Sequence, residues 1–291
     1  MSQLQKALEN GEFAVTSELA PPKGTDFSHV LKCAELVRGR VCAINVTDFQ
    51  SSALKATSLA MCKALQDRGL EPVLQITGRD RNRIAIQGEM LSAGFFGIKN
   101  LLAITGDHTT IGDNPGAKPV FDLDSVGILQ AASTLMNGFD MGGNKLDRAP
   151  SFFLGATVTP EYDPIELQIV KMEKKVKAGA RFFQTQAVFR IETMEKFKKL
   201  TEHLNVPVIA GIIPLRSAGM AKFMNKNIPG INIPDNIIDR LRSSDNSVKE
   251  GIKIAGELIA ELKEKGLCSG VHIMAIGAEE NVPLVLDAAG V

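Results

Sequence analysis

The sequence has no closely spaced cysteine pair, no apolar run long enough to cross a membrane, and no excess of either charge. Its four cysteines, Cys33, Cys42, Cys62 and Cys268, are scattered. A structural zinc site or a disulfide framework is therefore not expected, and reduced, buried thiols in a cytoplasmic protein are. Basic and acidic side chains balance at 33 each, which argues against nucleic acid or an anionic membrane as the main partner. No apolar stretch approaches the roughly 18 residues of a membrane helix, and Met1-Ser2-Gln3-Leu4-Gln5-Lys6 lacks the form of a secretory signal. Neither GxGxxG nor a Walker A pattern occurs, so a doubly wound sheet built on a phosphate-binding turn is the weaker architecture.

What the chain does have is a regular alternation of apolar runs and amphipathic stretches over 291 residues, 44% of them hydrophobic. Strands are expected over residues 11–20, 41–46, 71–76, 101–104, 152–158, 181–185, 207–213 and 270–276, with helical patterns between them. Crossovers of this length force parallel pairing. Eight such units in a chain of this size predict an α/β protein, a single (β/α)8 TIM barrel spanning 1–291. Two long irregular connections, 108–124 and 138–150, and extra helices over 218–265 interrupt the repeat. Loops of that length are usually functional.

In such a barrel, ligands meet the carboxyl ends of the strands. Leu101-Leu102-Ala103-Ile104 turns abruptly polar at Thr105-Gly106-Asp107-His108, and Thr16-Ser17-Glu18-Leu19-Ala20 delivers a carboxylate just before Pro21-Pro22. The expected mouth carries Glu18, Thr47, Gln75, Asp107, Thr159, Gln186, Leu215 and Ile276, with His108 beside it. Carboxylates, amides and hydroxyls without a metal-ligand cluster suit a neutral heterocycle and a proton donor. Glu18, flanked by apolar residues and prolines, is expected to be desolvated, which favours the protonated form that a general acid needs. The plainer reading makes Glu18 a loop cap or the partner of Arg79 or Arg83. Asp107 can equally be a helix-leading turn, and Gln186 a helix cap. Arg79-Asp80-Arg81-Asn82-Arg83 reads either as a phosphate site or as an internal ion-pair network. Lys174 and Lys175 read as a solvated helix face, and mid-strand His272 as a satisfied core histidine.

The segments Ser17-Glu18-Leu19-Ala20-Pro21-Pro22, Asn45-Val46-Thr47, Gly78 to Arg83, Leu101 to His108, Lys175 to Ala180 with Thr185-Gln186-Ala187-Val188-Phe189, and Gly211-Ile212-Ile213-Pro214-Leu215 occur in one order. Together they resemble the methylenetetrahydrofolate reductase family, flavoproteins built on a (β/α)8 barrel. The resemblance implies hydride transfer from reduced flavin to 5,10-methylenetetrahydrofolate. It makes Glu18 the general acid at the folate nitrogen and places Asp107 between pterin and flavin. Gln186, Leu215 and Ile276 would bind the folate. Thr47, Gln75, Thr105, Gly106, Asp107, His108, Ala156 and Lys175 would contact the flavin. FAD is expected ahead of FMN, with NAD(P)H or a metal- or iron-sulfur-containing partner subunit as electron donor. An oligomer without a C-terminal regulatory domain is expected, closest in pattern to the enzymes of anaerobes. Departures from the better-known bacterial pattern are Leu19-Ala20 in place of two aromatics, Gln75 for histidine, Thr105 for arginine and Thr159 near a position often held by tyrosine. A flavin-free pterin-binding methyltransferase and a non-catalytic scaffold subunit are the alternatives. A lysine-dependent aldolase ranks last, because no expected strand end carries a lysine.

Overall fold

A computed structural model describes residues 1–291. The strands are β1 (Ala14–Leu19), β2 (Ala43–Val46), β3 (Pro72–Thr77), β4 (Asn100–Ile104), β5 (Phe153–Val158), β6 (Phe182–Ala187), β7 (Val208–Ile212) and β8 (Gly270–Ile273). They run parallel in chain order and close into a barrel, β8 returning to β1 with Ala14 opposite Gly270 and Ser17 opposite Ile273. The expected (β/α)8 architecture is the one observed.

The helices are α1 (Gln3–Glu9), α2 (Ser28–Leu36), α3 (Ser58–Gln66), α4 (Arg83–Phe96), α5 (Ser125–Met136), α6 (Glu166–Lys177), α7 (Ile191–Thr201), α8 (Ala218–Asn227), α9 (Asp235–Ser243), α10 (Ser247–Glu264) and α11 (Val282–Ala289). Side-chain oxygens of Thr57, Asn82, Asp124, Ser217 and Asn246 accept from backbone N–H groups in the first turns of α3, α4, α5, α8 and α10. Each such cap is worth about 1 kcal/mol. α3 begins at Ser58, behind its cap Thr57. The cap position of α2 is taken by Phe27, while Asp26 accepts from Ser28 N. No helix is long and apolar enough to cross a membrane. Cys33 and Cys62 are buried, Cys42 and Cys268 partly so, and none is bonded to another. Burial pushes the Cys268 thiol up to about 11.

Strand alternation sorts the side chains into two sets. Val15, Ile44, Leu74, Leu101, Leu154, Phe183, Ala210 and Val271 point outward and join the main core between sheet and helices. Ala14, Ala43, Val73, Leu102, Phe153, Phe182 and Ile209 point inward and pack on Leu4, Ala7 and Leu8 of α1. This floor was not anticipated from the sequence, since α1 is too short to show a helical period. Glu71 anchors it by accepting from the free N–H groups of Gln3 (2.6 Å) and Leu4 (3.0 Å). Between β7 and β8, α8 to α10 enclose a separate apolar cluster that includes Leu215, Ile237, Leu241 and Ile254.

Within the floor the Phe153 and Phe182 rings stack with centroids 5.0 Å apart. The space for that stack exists because residue 155 is glycine: a Cβ there would sit 2.2 Å from the Phe182 ring. Gly155→Ala is accordingly expected to destabilise the fold by about 1–3 kcal/mol through overpacking, read as a lower urea midpoint at unchanged slope.

Candidate functional site

Above the apolar floor the barrel interior turns polar. Thr16, Asn45, Gln75, Gln184 and His272 form a buried belt. Over it lies a cavity of about 350 Å³ whose walls include Glu18, Thr47, Gln75, Asp107, Thr157, Gln184, Gln186, His272 and Met274. That volume lies within the range of small-molecule sites. Glu18 reaches in from β1 with its side chain 13% exposed. Its Oε2 accepts from Gln75 Nε2 at 3.2 Å and lies 3.5 Å from His272 Nε2. No arginine pairs with it. Asp107 approaches from the loop after β4 and forms no ion pair. The turn that brings it there needs Gly106, whose φ is +91° and whose added Cβ would lie 3.1 Å from Arg79.

The arginine run resolves as an ion-pair network. Buried Arg79 donates to Asp80 (2.8 and 2.7 Å), Phe49 O (2.9 Å) and Asp107 O (3.2 Å). Arg81 donates to both oxygens of Asp48 (2.7 and 2.9 Å) and lies 3.1 Å from Glu89. Asp48 also accepts from Thr77 N and Oγ1. Burial works against the Arg81 charge, but the hydrogen bonds and charge of Asp48 outweigh it and push its pKa up. Arg83 pairs with Asp122 at 2.8 Å, and Lys23 with Asp113 at 2.5 Å. Hydrogen bonds from these cations hold the Asp122 and Asp113 carboxyls down at about 2 and tie residues 108–124 to the barrel. Arg79 and Arg81 also brace the segment after β2, in which Phe49, Ser51 and Ser52 have φ of 47°, 54° and 57°. The Arg81 guanidinium lies 5.5 Å from the centre of the Phe49 ring.

Of the residues expected at the mouth, Glu18, Thr47, Gln75, Gly106, Asp107, Thr159 and Gln186 border the cavity. The others do not. Thr105 is exposed, and its Oγ1 accepts from Ser125 N at the start of α5. His108 caps the short turn 109–111 and stacks on Phe121. Ala156 faces the helices, since alternation turns its neighbour Thr157 inward. Lys175 is buried on the outer side of β5, where its Nζ donates to Thr157 O at 2.7 Å. It is not on the solvated face expected of it. Leu215 and Ile276 lie three residues beyond the ends of β7 and β8, where the chain has left the barrel wall. Leu215 joins the α8–α10 cluster. Ile276 lines an adjoining cavity of about 510 Å³ between β1, α2 and β8, whose wall also includes Glu18.

Conversely, Asp48, Thr77, Arg79, Gln184, His272 and Met274 border the site without having been singled out for it. The signal was present as period-two spacing: Gln184 stands two before Gln186, and His272 two before Met274. Two atoms on this surface, Thr47 Oγ1 and Gln184 Nε2, are buried without a hydrogen-bond partner. Such groups normally find one. A wider groove of about 870 Å³ between α5 and α6 lies at the opposite, amino-terminal side of the strands.

Two changes test these placements. Asp48→Ala leaves buried Arg81 with Glu89 as its one remaining carboxylate contact and should cost about 3 kcal/mol, measured by chemical denaturation. Burial, reinforced by nearby Lys171, lowers the Lys175 pKa to about 8 from 10.5. The unfolded chain therefore binds the extra proton between those values, and stability rises with pH from about 8 to 10.5. Lys175→Met should remove that part of the slope in melting temperature against pH.

The family model described as methylenetetrahydrofolate reductase matches residues 3–290. Methylenetetrahydrofolate reductase 2 of Schizosaccharomyces pombe is 24% identical over 97% of this chain, which spans 46% of that protein's length. The 5,10-methylenetetrahydrofolate reductase of Salmonella typhimurium is 23% identical over 97% of this chain and 92% of its own. Among solved structures, an uncharacterized protein from Clostridium thermocellum that binds two copies of 5-methyl-5,6,7,8-tetrahydrofolic acid superposes with a TM-score of 0.64. The two are 18% identical, over 98% of this chain and 97% of that one. With nearly every residue inside the match and the barrel closed as the family requires, the chain belongs to the methylenetetrahydrofolate reductase family.

Proposed function

We propose that the chain reduces 5,10-methylenetetrahydrofolate to 5-methyltetrahydrofolate with the help of a bound flavin, FAD ahead of FMN. The observation that carries this reading is the placement of Glu18 and Asp107 on one cavity whose walls also carry the amides Gln75, Gln184 and Gln186 and the hydroxyls of Thr47 and Thr157. The residues fit a flavin ring at the level of donor chemistry. Thr47 and Gln184 line the cavity, and their Oγ1 and Nε2 atoms are buried without a partner. Thr47, Gln75, Gly106 and Asp107 would hold the ring, with Thr105 and His108 at the outer rim. Ala156 and Lys175 would act on it only through β5. When bound, the flavin supplies the hydride, having been charged by NAD(P)H or by an iron-sulfur or other metal-containing partner protein.

The remaining work falls to the protein. Opening of the folate's five-membered ring frees a nitrogen that must take up a proton, and Glu18 is the acid at the cavity wall. Gln186 accepts from Ala187 N through its Oε1 at 2.9 Å, which leaves its Nε2 to donate to the pterin edge. Asp107, without a cationic partner, accepts from the pterin's N–H groups. The apolar floor and buried belt exclude water from the reacting carbon. Of the other residues expected to bind the folate, Ile276 would act from the adjoining cavity that Glu18 also borders, and Leu215 only through the α8–α10 cluster.

A second reading, a pterin-binding barrel that carries a methyl group without flavin, draws support from the Clostridium thermocellum neighbour's binding of 5-methyl-5,6,7,8-tetrahydrofolic acid. Colour separates the two. The purified protein should show a flavin absorption band that bleaches under reductant and returns on adding methylenetetrahydrofolate; a colourless protein that still binds the folate supports the second reading. Glu18→Gln should leave flavin reduction at the wild-type rate and lower folate-driven reoxidation by about 10²–10⁴-fold, the scale of general acid catalysis, in stopped-flow absorbance. Equal reoxidation in the variant would remove Glu18 from its role.

A further inference from the structure

We propose that His272 is a positioning residue that, together with Gln75, determines which oxygen of Glu18 carries the proton. The proposal rests on Glu18 being the acid of the folate step. Its structural half concerns the protein alone.

His272 is 2% exposed and sits in the polar belt directly below the cavity. Thr16 Oγ1 lies 2.9 Å from its Nδ1, and Asn45 Nδ2 lies 3.0 Å from Nδ1 and 3.3 Å from Nε2. With Nδ1, the nitrogen nearer both neighbours, as the acceptor, a neutral ring carries its proton on Nε2. That Nε2–H faces Glu18 Oε2 at 3.5 Å, while Gln75 Nε2–H donates to the same oxygen at 3.2 Å. Two donors converge on Oε2 and none is recorded on Oε1. A carboxyl proton on Oε2 would meet two N–H groups, whereas on Oε1 it meets none. The protonated acid is therefore held with Oε2 as the accepting carbonyl oxygen and Oε1–H as the donor free to meet the substrate. The 3.5 Å separation is long for a hydrogen bond; contacts of catalytic groups commonly tighten once ligand is bound.

Arg79 and Arg81 are engaged by Asp80 and Asp48. β2 presents Asn45 to the imidazole, β1 presents Thr16 and Glu18, and β3 presents Gln75 to Glu18. Asp107 is the remaining carboxylate on the cavity wall. An imidazolium would place a second proton on Nδ1, against the Asn45 N–H.

Two measurements test this. In the unliganded protein with ¹⁵N-labelled histidine, the His272 ring should be the Nε2–H tautomer at neutral pH; an Nδ1–H tautomer or an imidazolium overturns the proposal without reference to any cofactor. In the flavin-loaded enzyme, His272→Leu should slow folate-driven reoxidation by about 10–100-fold, a modest share of the acid's own contribution. Flavin reduction and the folate KM should be unchanged. His272→Gln, which can return an N–H toward Oε2, should recover most of the loss. Equal loss in both variants, or none in the leucine variant, also overturns it. Should the wild-type protein show the Nε2–H ring but never turn over methylenetetrahydrofolate, the role in positioning an acid falls with the functional reading, and only the hydrogen-bonded arrangement survives.

Discussion

The carboxylate of Asp48, with no exposed side-chain surface, is the point on which the site's geometry depends. It takes two hydrogen bonds from Arg81 and two from Thr77, joining the loop after β2 to the end of β3. Arg79, in the same run, reaches the carbonyls of Phe49 and Asp107 and so adds the loop after β4. Three strand ends are thereby locked to one another by buried charge, and the candidate catalytic carboxylate at 107 is placed by an arginine that never touches its side chain. Such a network is costly to desolvate and contributes little net stability, but it breaks badly when one partner is lost. Its value here lies in fixing positions.

The same logic separates what could be read in the sequence from what could not. Strand and helix order followed from apolar runs and cap residues, because burial on both faces of a parallel strand writes an unbroken hydrophobic segment. Glu18, Asp107 and Gln186 were legible because each ends such a segment. Ala156 and Lys175 were assigned to the cavity by family resemblance, yet alternation along β5 turns Thr157 inward and leaves both of them on the outer side. Ile276 was placed at the mouth by extending β8 three residues too far, and Leu215 by counting on from a β7 taken one residue too long, since apolar character alone does not show where pairing stops. His272 was read as a satisfied core histidine, and it is buried with Thr16 and Asn45 as partners. Only its inward register beside Thr16 and Asn45 shows what it faces. Asp48 was invisible as a partner of Arg81, which stands 33 residues away.

The barrel interior divides into an apolar lower half and a polar upper half. Below, aliphatic and aromatic side chains fill the tapering space to the density of any protein core. Above, amides, hydroxyls and one imidazole satisfy one another, leaving a few atoms such as Thr47 Oγ1 without partners. The boundary falls within single strands: Phe182 lies in the floor, Gln184 in the belt and Gln186 at the mouth. A two-residue step along one strand thus moves from packing to recognition.

The stacked rings of Phe153 and Phe182, capped from below by α1, give the barrel a solid bottom. The polar cavity therefore has no exit through the floor, and whatever enters it leaves by the opening it came in through.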